Sequence, residues 1–216
     1  MNHNTNLKYP RTPYMECSAN IQNGDRILEN IDNLINKEVI TTEKVDGGNT
    51  CIHQGQVYAR SANEPTKHAS FDFIKTNYLW RFNAFEDLIF YCENMYAIHS
   101  IEYSNLQSYL YILGIRYEDT WLSWVDTVDI SNYISIPAVP FISQKVFRSK
   151  QDLYSYVLEE LYKPSLLGGM REGVVIRNAS EFNYEHFDIN VAKAVSNKFI
   201  NVNQDWTKWK KAQIAK

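Results

Sequence analysis

Short β-rich runs recur along this chain at irregular intervals, each stopped by turn chemistry, and helical stretches fall between them without a βαβ rhythm. A parallel sheet needs that rhythm, because each parallel pair requires a long crossover, usually a helix. The pattern therefore predicts an α+β fold of largely antiparallel sheets flanked by helices. Ile27, Leu28, Ile31, Leu34 and Ile35 sit at helical spacing behind Asp25, predicting a helix over 24–36. Residues 38–44 read as a strand, Asp46-Gly47-Gly48-Asn49 as a turn, and 50–52 as a second strand. A further turn at 54–56 leads into a strand at 57–60. Residues 71–91 predict mostly helix, through Phe73, Ile74, Tyr78, Phe82, Phe85, Leu88 and Ile89. Strands are expected at 95–103, 109–117, 139–142, 173–177 and 188–195, and helices at 121–130 and 153–161.

Composition narrows the function classes. With 216 residues, 44% of them hydrophobic, the chain can build a core without disulfides or metal staples. A formal charge of −3 excludes a globally basic nucleic-acid coat, though not a local basic patch. No apolar run approaches 18 residues, so no membrane span is expected, and residues 1–8 lack the apolar core of a signal peptide. Cys17, Cys51 and Cys92 are odd in number and share no CxxC spacing. They read as reduced thiols, which points to the cytoplasm, or to a host cytoplasm for a phage-encoded chain. The five histidines show no HExxH spacing, and no phosphate-binding GxxxxGK[ST] loop is present.

Five segments carry candidate chemistry. Lys44 lies in Glu43-Lys44-Val45-Asp46-Gly47-Gly48-Asn49. On a strand, Lys44 and Asp46 would share a face, and the glycines would let backbone approach a bulky ligand. A lysine is a nucleophile only when neutral, which requires burial or a second cationic centre. Alone, the segment reads as a hairpin with an Asp-Gly turn and an exposed lysine. Arg60 closes a short strand, and Arg at a strand end can clamp a phosphate, although in isolation it is a surface residue. Glu93 precedes Asn94-Met95-Tyr96-Ala97-Ile98-His99-Ser100; its carboxylate suits a ribose hydroxyl or a metal, while His99 reads as a structural histidine. Glu172 opens the apolar strand Gly173-Val174-Val175-Ile176-Arg177 and suits a metal or a lysine partner. Lys193, between Ala192 and Ala194, either faces a phosphate or snorkels from a half-buried strand. Residues 206–216 (WTKWKKAQIAK) hold four lysines, two tryptophans and no acid. Such a segment suits nucleic-acid contact, or equally a tail helix whose tryptophans dock on the core.

The order of these segments resembles the covalent nucleotidyltransferase superfamily, and more closely the phage-type and bacterial RNA ligases of the RNA-repair branch. Lys8-Tyr9-Pro10-Arg11-Thr12-Pro13, residues 65–72 (PTKHASFD), 96–101 (YAIHSI), 121–127 (WLSWVDT) and 190–193 (NVAK) carry the same resemblance, which spans about 8–209. It implies a single adenylyltransferase domain over 1–216, with a nucleotide cleft between its sheets and a short basic aromatic segment at 201–216. It implies ATP and Mg²⁺, with Mn²⁺ substituting, and RNA bearing 5′-phosphate and 3′-hydroxyl ends. It leaves room for a separate end-recognition protein. Lys44 would be the nucleophile that takes AMP. Glu43, Asp46, Gly47, Asn49, Arg60, Glu93, Tyr111, Leu113, Glu172 and Lys193 would bind the nucleotide. Asn49 and Glu172 would serve the metal, and Arg60, Lys198, Lys208 and Lys210 the RNA. Three positions depart from the family pattern: Cys92 stands where glycine is usual, Leu113 where an aromatic stacks the base, and Val191 where a first lysine precedes Lys193. Tyr111, on the same expected strand face, is a substitute stacking group. A DNA ligase, a GTP-using capping enzyme and a binding module without turnover are the alternatives.

Overall fold

The computed structural model describes residues 6–19, 21–60, 64–198, 210–212 and 214. The strands are β1 (Glu38–Lys44), β2 (Gly48–His53), β3 (Gln56–Ala59), β4 (Leu88–Asn94), β5 (Leu110–Tyr117), β6 (Thr120–Trp121), β7 (Phe141–Val146), β8 (Gly173–Asn178), β9 (Phe182–Asn183) and β10 (Val191–Val195). The helices are α1 (Asp72–Asn77), α2 (Trp124–Tyr133), α3 (Lys150–Leu161) and α4 (Phe187–Asn190). One sheet has the order β10-β8-β1-β7 and the other β3-β2-β4-β5-β6-β9. Every strand pair in both is antiparallel, as the sequence predicts.

Both outer faces are covered. Val39, Val174, Ile176, Ala192 and Ala194 of the four-stranded sheet pack with Leu153, Val157 and Leu161 of α3. Ile52, Phe90, Ile112 and Ile115 of the six-stranded sheet pack with Ile74 of α1 and Phe82. β1 is β-branched at Val39, Ile40, Thr41 and Thr42 and buried on both faces, as suits a strand paired on both edges. The caps follow local rules: Ser123 accepts from the Asp126 N–H to start α2, and Ser149 from the Asp152 N–H to start α3.

The Asp-Gly turn of a hairpin does not form at 46–47. β1 pairs with β7 and β8, whereas β2 pairs with β3 and β4, so residues 45–47 carry the chain from one sheet to the other. Tertiary pairing overrides the strongest local hairpin signal. The 54–56 turn does form: Gln54 and Gly55 both have positive φ, 48° and 66°, joining β2 to β3 as a two-residue hairpin loop.

Other expectations are corrected. Residues 24–36 form no helix. The Leu28 N–H donates to the Tyr14 carbonyl and the Tyr14 N–H to the Arg26 carbonyl, while Asn30 Oδ1 takes the Asp32 N–H. Cross-chain pairing and a competing side chain draw off the amides a helix needs. Only a 3₁₀ turn, Asp32–Leu34, remains, yet Leu28 and Leu34 are still buried. Residues 71–91 split into α1, a 3₁₀ segment at Leu79–Phe85, and β4; the apolar run from Leu88 is a strand buried on both sides, which periodicity cannot distinguish from helix. Residues 95–103 form a loop, because their amides bond to Asp46 and to the chain at 210 rather than to a ladder. β10 is preceded by α4, so residues 188–190 are helical.

Gly173 is the tightest point of the four-stranded sheet. A Cβ there would lie 2.1 Å from the Ala194 carbonyl oxygen of β10. Gly173→Ala should cost about 3 kcal/mol of stability by overpacking, measured by urea unfolding.

Candidate active site

The two sheets enclose a cleft of about 450 Å³ into which Lys44 projects from the end of β1. Antiparallel register sets Lys44 opposite Gly173, so the residue before Gly173 reaches it: Lys44 Nζ lies 2.6 Å from Glu172 Oε1. The Glu172 side chain is 6% exposed and that of Lys44 26%. Burial works to lower the Lys44 pKa, but Glu172, Glu93 and Asp46 outweigh it and raise it, so the resting ammonium is well held. Burial also raises the Glu172 carboxyl, against the pull of Lys44.

Glu93 stands on β4 opposite Asn49 of β2, and its Oε1 accepts the Gly47 N–H at 3.2 Å. Burial pushes its carboxyl up to about 7; Lys44 draws it down and Glu172 adds to the rise. Gly47 is required by close approach. A Cβ there would lie 2.6 Å from Met95 Sδ and 2.7 Å from the Asn94 carbonyl oxygen. Lys193 lines the cleft from β10, with Nζ 3.9 Å from the centre of the Tyr14 ring. Burial, and then the charges of Lys44 and Arg60, lower its pKa to about 8. Arg60 lines the cleft from the end of β3.

The structure thus brings Lys44, Asn49, Arg60, Glu93, Glu172 and Lys193 to one cavity, although they are scattered over 150 residues of sequence. Leu113 also lines it. A bulge sets Tyr91 opposite Gly114 and Cys92 opposite Ile112, leaving Leu113 as the extra residue. Glu43, Asp46 and Gly47 line the cleft as well, whereas Tyr111 and Lys198 do not. Tyr111 is buried away from the lining, and its hydroxyl accepts the Gln107 and Ser108 N–H groups. Asp46 does not share a strand face with Lys44, since β1 ends there. Its Oδ2 takes the Ser100 and Ile101 N–H groups at 2.7 and 2.9 Å. The Glu43 carboxylate is held from behind by Ser165 and by the Leu166 N–H at 2.8 Å, with Arg171 3.7 Å away. Lys198 lies beside Tyr162, outside the cleft lining. Lys210 is exposed, with its backbone against the loop at 98, and Lys208 lies outside the described residues.

Sequence reasoning missed several lining residues: Tyr9, Thr12, Trp121 and Arg177, and His99, which it read as structural. His99 stands beside Asp46, and burial lowers its pKa despite that carboxylate. Tyr9 packs edge-on to Trp121 and Phe187, closing the inner end of the cleft. All five lie in segments that carry the family resemblance, so a signal was present, but only long-range packing sets which of their side chains face the cleft.

Two buried acceptors in the cleft have no hydrogen-bond partner: Glu172 Oε2 and Asn49 Oδ1. A hard divalent cation is suited to such oxygens. Among the described residues no cluster of three or more His, Cys, Asp or Glu is arranged to hold a metal by itself. The pair therefore suits a cation completed by the oxygens of a bound ligand.

Two packed antiparallel sheets with a buried lysine–glutamate pair in the cleft between them form a ligase nucleotidyltransferase fold. Solved structures that share it include a putative ATP-dependent DNA ligase from Aquifex aeolicus (18% identity, TM-score 0.58, 88% of this chain and 50% of that one). An archaeal ATP-dependent RNA ligase matches at 16% identity and TM-score 0.59, over 88% of this chain and 48% of its own. A Naegleria gruberi RNA ligase variant with ATP and Mn matches at 14% and 0.55, over 89% and 61%. The chain spans about half to three-fifths of these structures' lengths. No curated protein matches it. The sequence matches the RNA ligase family over residues 37–195, and the chain belongs to that family. Among the described residues no helix is long and apolar enough to cross a membrane.

The raised Glu93 carboxyl has a stability consequence. Between about pH 4.5 and pH 7 it is ionised in the unfolded chain and protonated in the folded one. Its contribution is full below pH 4.5 and is lost as pH rises through 7. The urea midpoint should fall from pH 5 to pH 7.5, and Glu93→Gln should flatten part of that fall.

Proposed function

We propose that this chain is the adenylyltransferase of an ATP-dependent RNA ligase, joining 3′-hydroxyl and 5′-phosphate RNA ends through lysyl-AMP and an adenylylated RNA end. The observation that carries it is Lys44 Nζ, held 2.6 Å from Glu172 Oε1 in a cleft that also presents Glu93, Arg60 and Lys193. Family membership supports the substrate class.

In the first step the Lys44 nitrogen bonds to the α-phosphorus of ATP, and the bond from that phosphorus to the pyrophosphate oxygen breaks. Pyrophosphate leaves with the electron pair. The nitrogen must shed a proton, and Glu172 Oε1 is the acceptor at hydrogen-bond distance. Burial of Glu172 makes it a stronger base than an exposed carboxylate. Lys193 and Arg60 supply positive charge for the phosphates. Glu93 is positioned to accept ribose hydroxyls, and Leu113, Val139 and Val175 supply apolar walls for the base. Here an aliphatic side chain takes the place of the family's stacking aromatic. Mg²⁺, with Mn²⁺ substituting, would be held by Glu172 Oε2 and Asn49 Oδ1 and would neutralise phosphate charge. AMP then passes to an RNA 5′-phosphate, and a 3′-hydroxyl displaces it to seal the strand.

Incubation with α-labelled ATP and Mg²⁺, followed by denaturing electrophoresis, tests the first step. The wild-type chain should retain label and Lys44→Ala none. A label surviving in Lys44→Ala, or one taken from GTP alone, overturns the reading; joining of DNA but not RNA ends would replace the substrate class. Glu172→Ala should slow labelling by roughly 10²-fold, the scale of a lost proton acceptor, measured in single-turnover reactions.

A further inference from the structure

Residues 210–212 and 214 are built into the wall beside Lys44. The Ile98 N–H donates to the Lys210 carbonyl at 2.7 Å, and the Ala212 N–H to the Tyr96 carbonyl at 2.9 Å. The Tyr109 hydroxyl donates to the Ala212 carbonyl at 3.0 Å, and Ile214 bridges Leu106. Residues 210–212 and 214 thus lie against the loop between β4 and β5, joined to it by isolated bridges. Lys198 follows β10 in the other sheet.

Lys211 marks where it is fastened. Its Nζ lies 5.5, 5.4 and 5.5 Å from the ring centres of Phe73, Tyr96 and Tyr109. Phe73 and Tyr96 stack at 4.2 Å and 12°, and Tyr109 stands edge-on to both, at 87° and 80°. The ammonium, itself exposed, lies beside the Phe73–Tyr96 stack and within cation–π reach of three ring centres. α1 and two separate stretches of the loop supply the rings.

The loop so held is the one that grips the turn after the nucleophile. Ser100 and Ile101 donate their amides to Asp46 Oδ2, Tyr103 Oη accepts the Asp46 N–H at 2.9 Å, and Met95 leaves no room for a side chain at Gly47. Asp46 lies two residues past Lys44. We propose that residues 210–212 and 214 are a latch, and that Lys211 beside these rings is a positioning residue that holds the 95–103 loop against Asp46 and thereby sets the Lys44 nitrogen in the cleft. The catalytic half of this inference rests on the ligase reading; the structural half does not.

Two readouts on the full chain separate the two. Amide hydrogen exchange at Ser100 and Ile101 reports the latch without any activity, and single-turnover AMP labelling reports positioning. Lys211→Met keeps length and loses the cation; Lys211→Arg keeps a cation over the rings. In Lys211→Met, exchange should speed roughly 3- to 10-fold, on the scale of a lost cation–π contact. The labelling rate should fall by a similar factor, with the ATP KM within twofold. Lys211→Arg should hold both within twofold of wild type. Unchanged exchange in Lys211→Met overturns the latch, as does an equal loss in both variants. Faster exchange with wild-type labelling overturns the positioning role, and so does a rise in KM alone. Loss confined to RNA joining would assign Lys211 to RNA contact instead and overturn the proposal. If the wild-type chain takes no label at all, the ligase reading fails while the exchange comparison still decides the latch.

Discussion

The site depends on an ion pair buried between strands of one sheet. Lys44 and Glu172 lie 128 positions apart, yet the β1–β8 register leaves the two side chains little choice but to meet. A buried pair of this kind adds little net stability, because desolvation offsets attraction, but removing either partner strands the other charge. Its value here is geometric. The carboxylate aims the ammonium into the cleft.

Around that pair, charge is graded rather than uniform. Burial lifts the Glu93 carboxyl to about 7, whereas Lys193 is brought down to about 8 by burial and by the neighbouring cations. Opposite shifts in one cavity mean that a small change in its contents resets several protonation states together. An incoming polyphosphate would stabilise the cations and bring a counter-cation to the orphan oxygens of Glu172 and Asn49. The architecture suits a ligand that arrives with its own charge.

The backbone on either side of Lys44 is secured independently. Behind it, Ser165, the Leu166 amide and Arg171 hold Glu43. Ahead of it, the 95–103 loop holds Asp46. Both carboxylates line the cleft, and both are held by partners from the protein itself. Spacing told where the acids are, but their partners come from distant loops.

Antiparallel α+β architecture was legible in the chain because strand length, β-branching and turn chemistry are local. So were Lys44, Glu93, Glu172 and Lys193, since residue type and order carry the family pattern. The helix expected at 24–36 and the strand expected at 95–103 failed because amides there bond to remote groups, which no local period encodes. The same reason hid His99, Trp121 and Arg177 in the cleft, removed Tyr111 from it, and turned an apparent hairpin into a crossing between sheets. By itself the sequence determined the family pattern and most of the extended segments. Only the tertiary structure decided which residues share a cavity, because strand register and a one-residue bulge at Leu113 are long-range agreements between distant stretches.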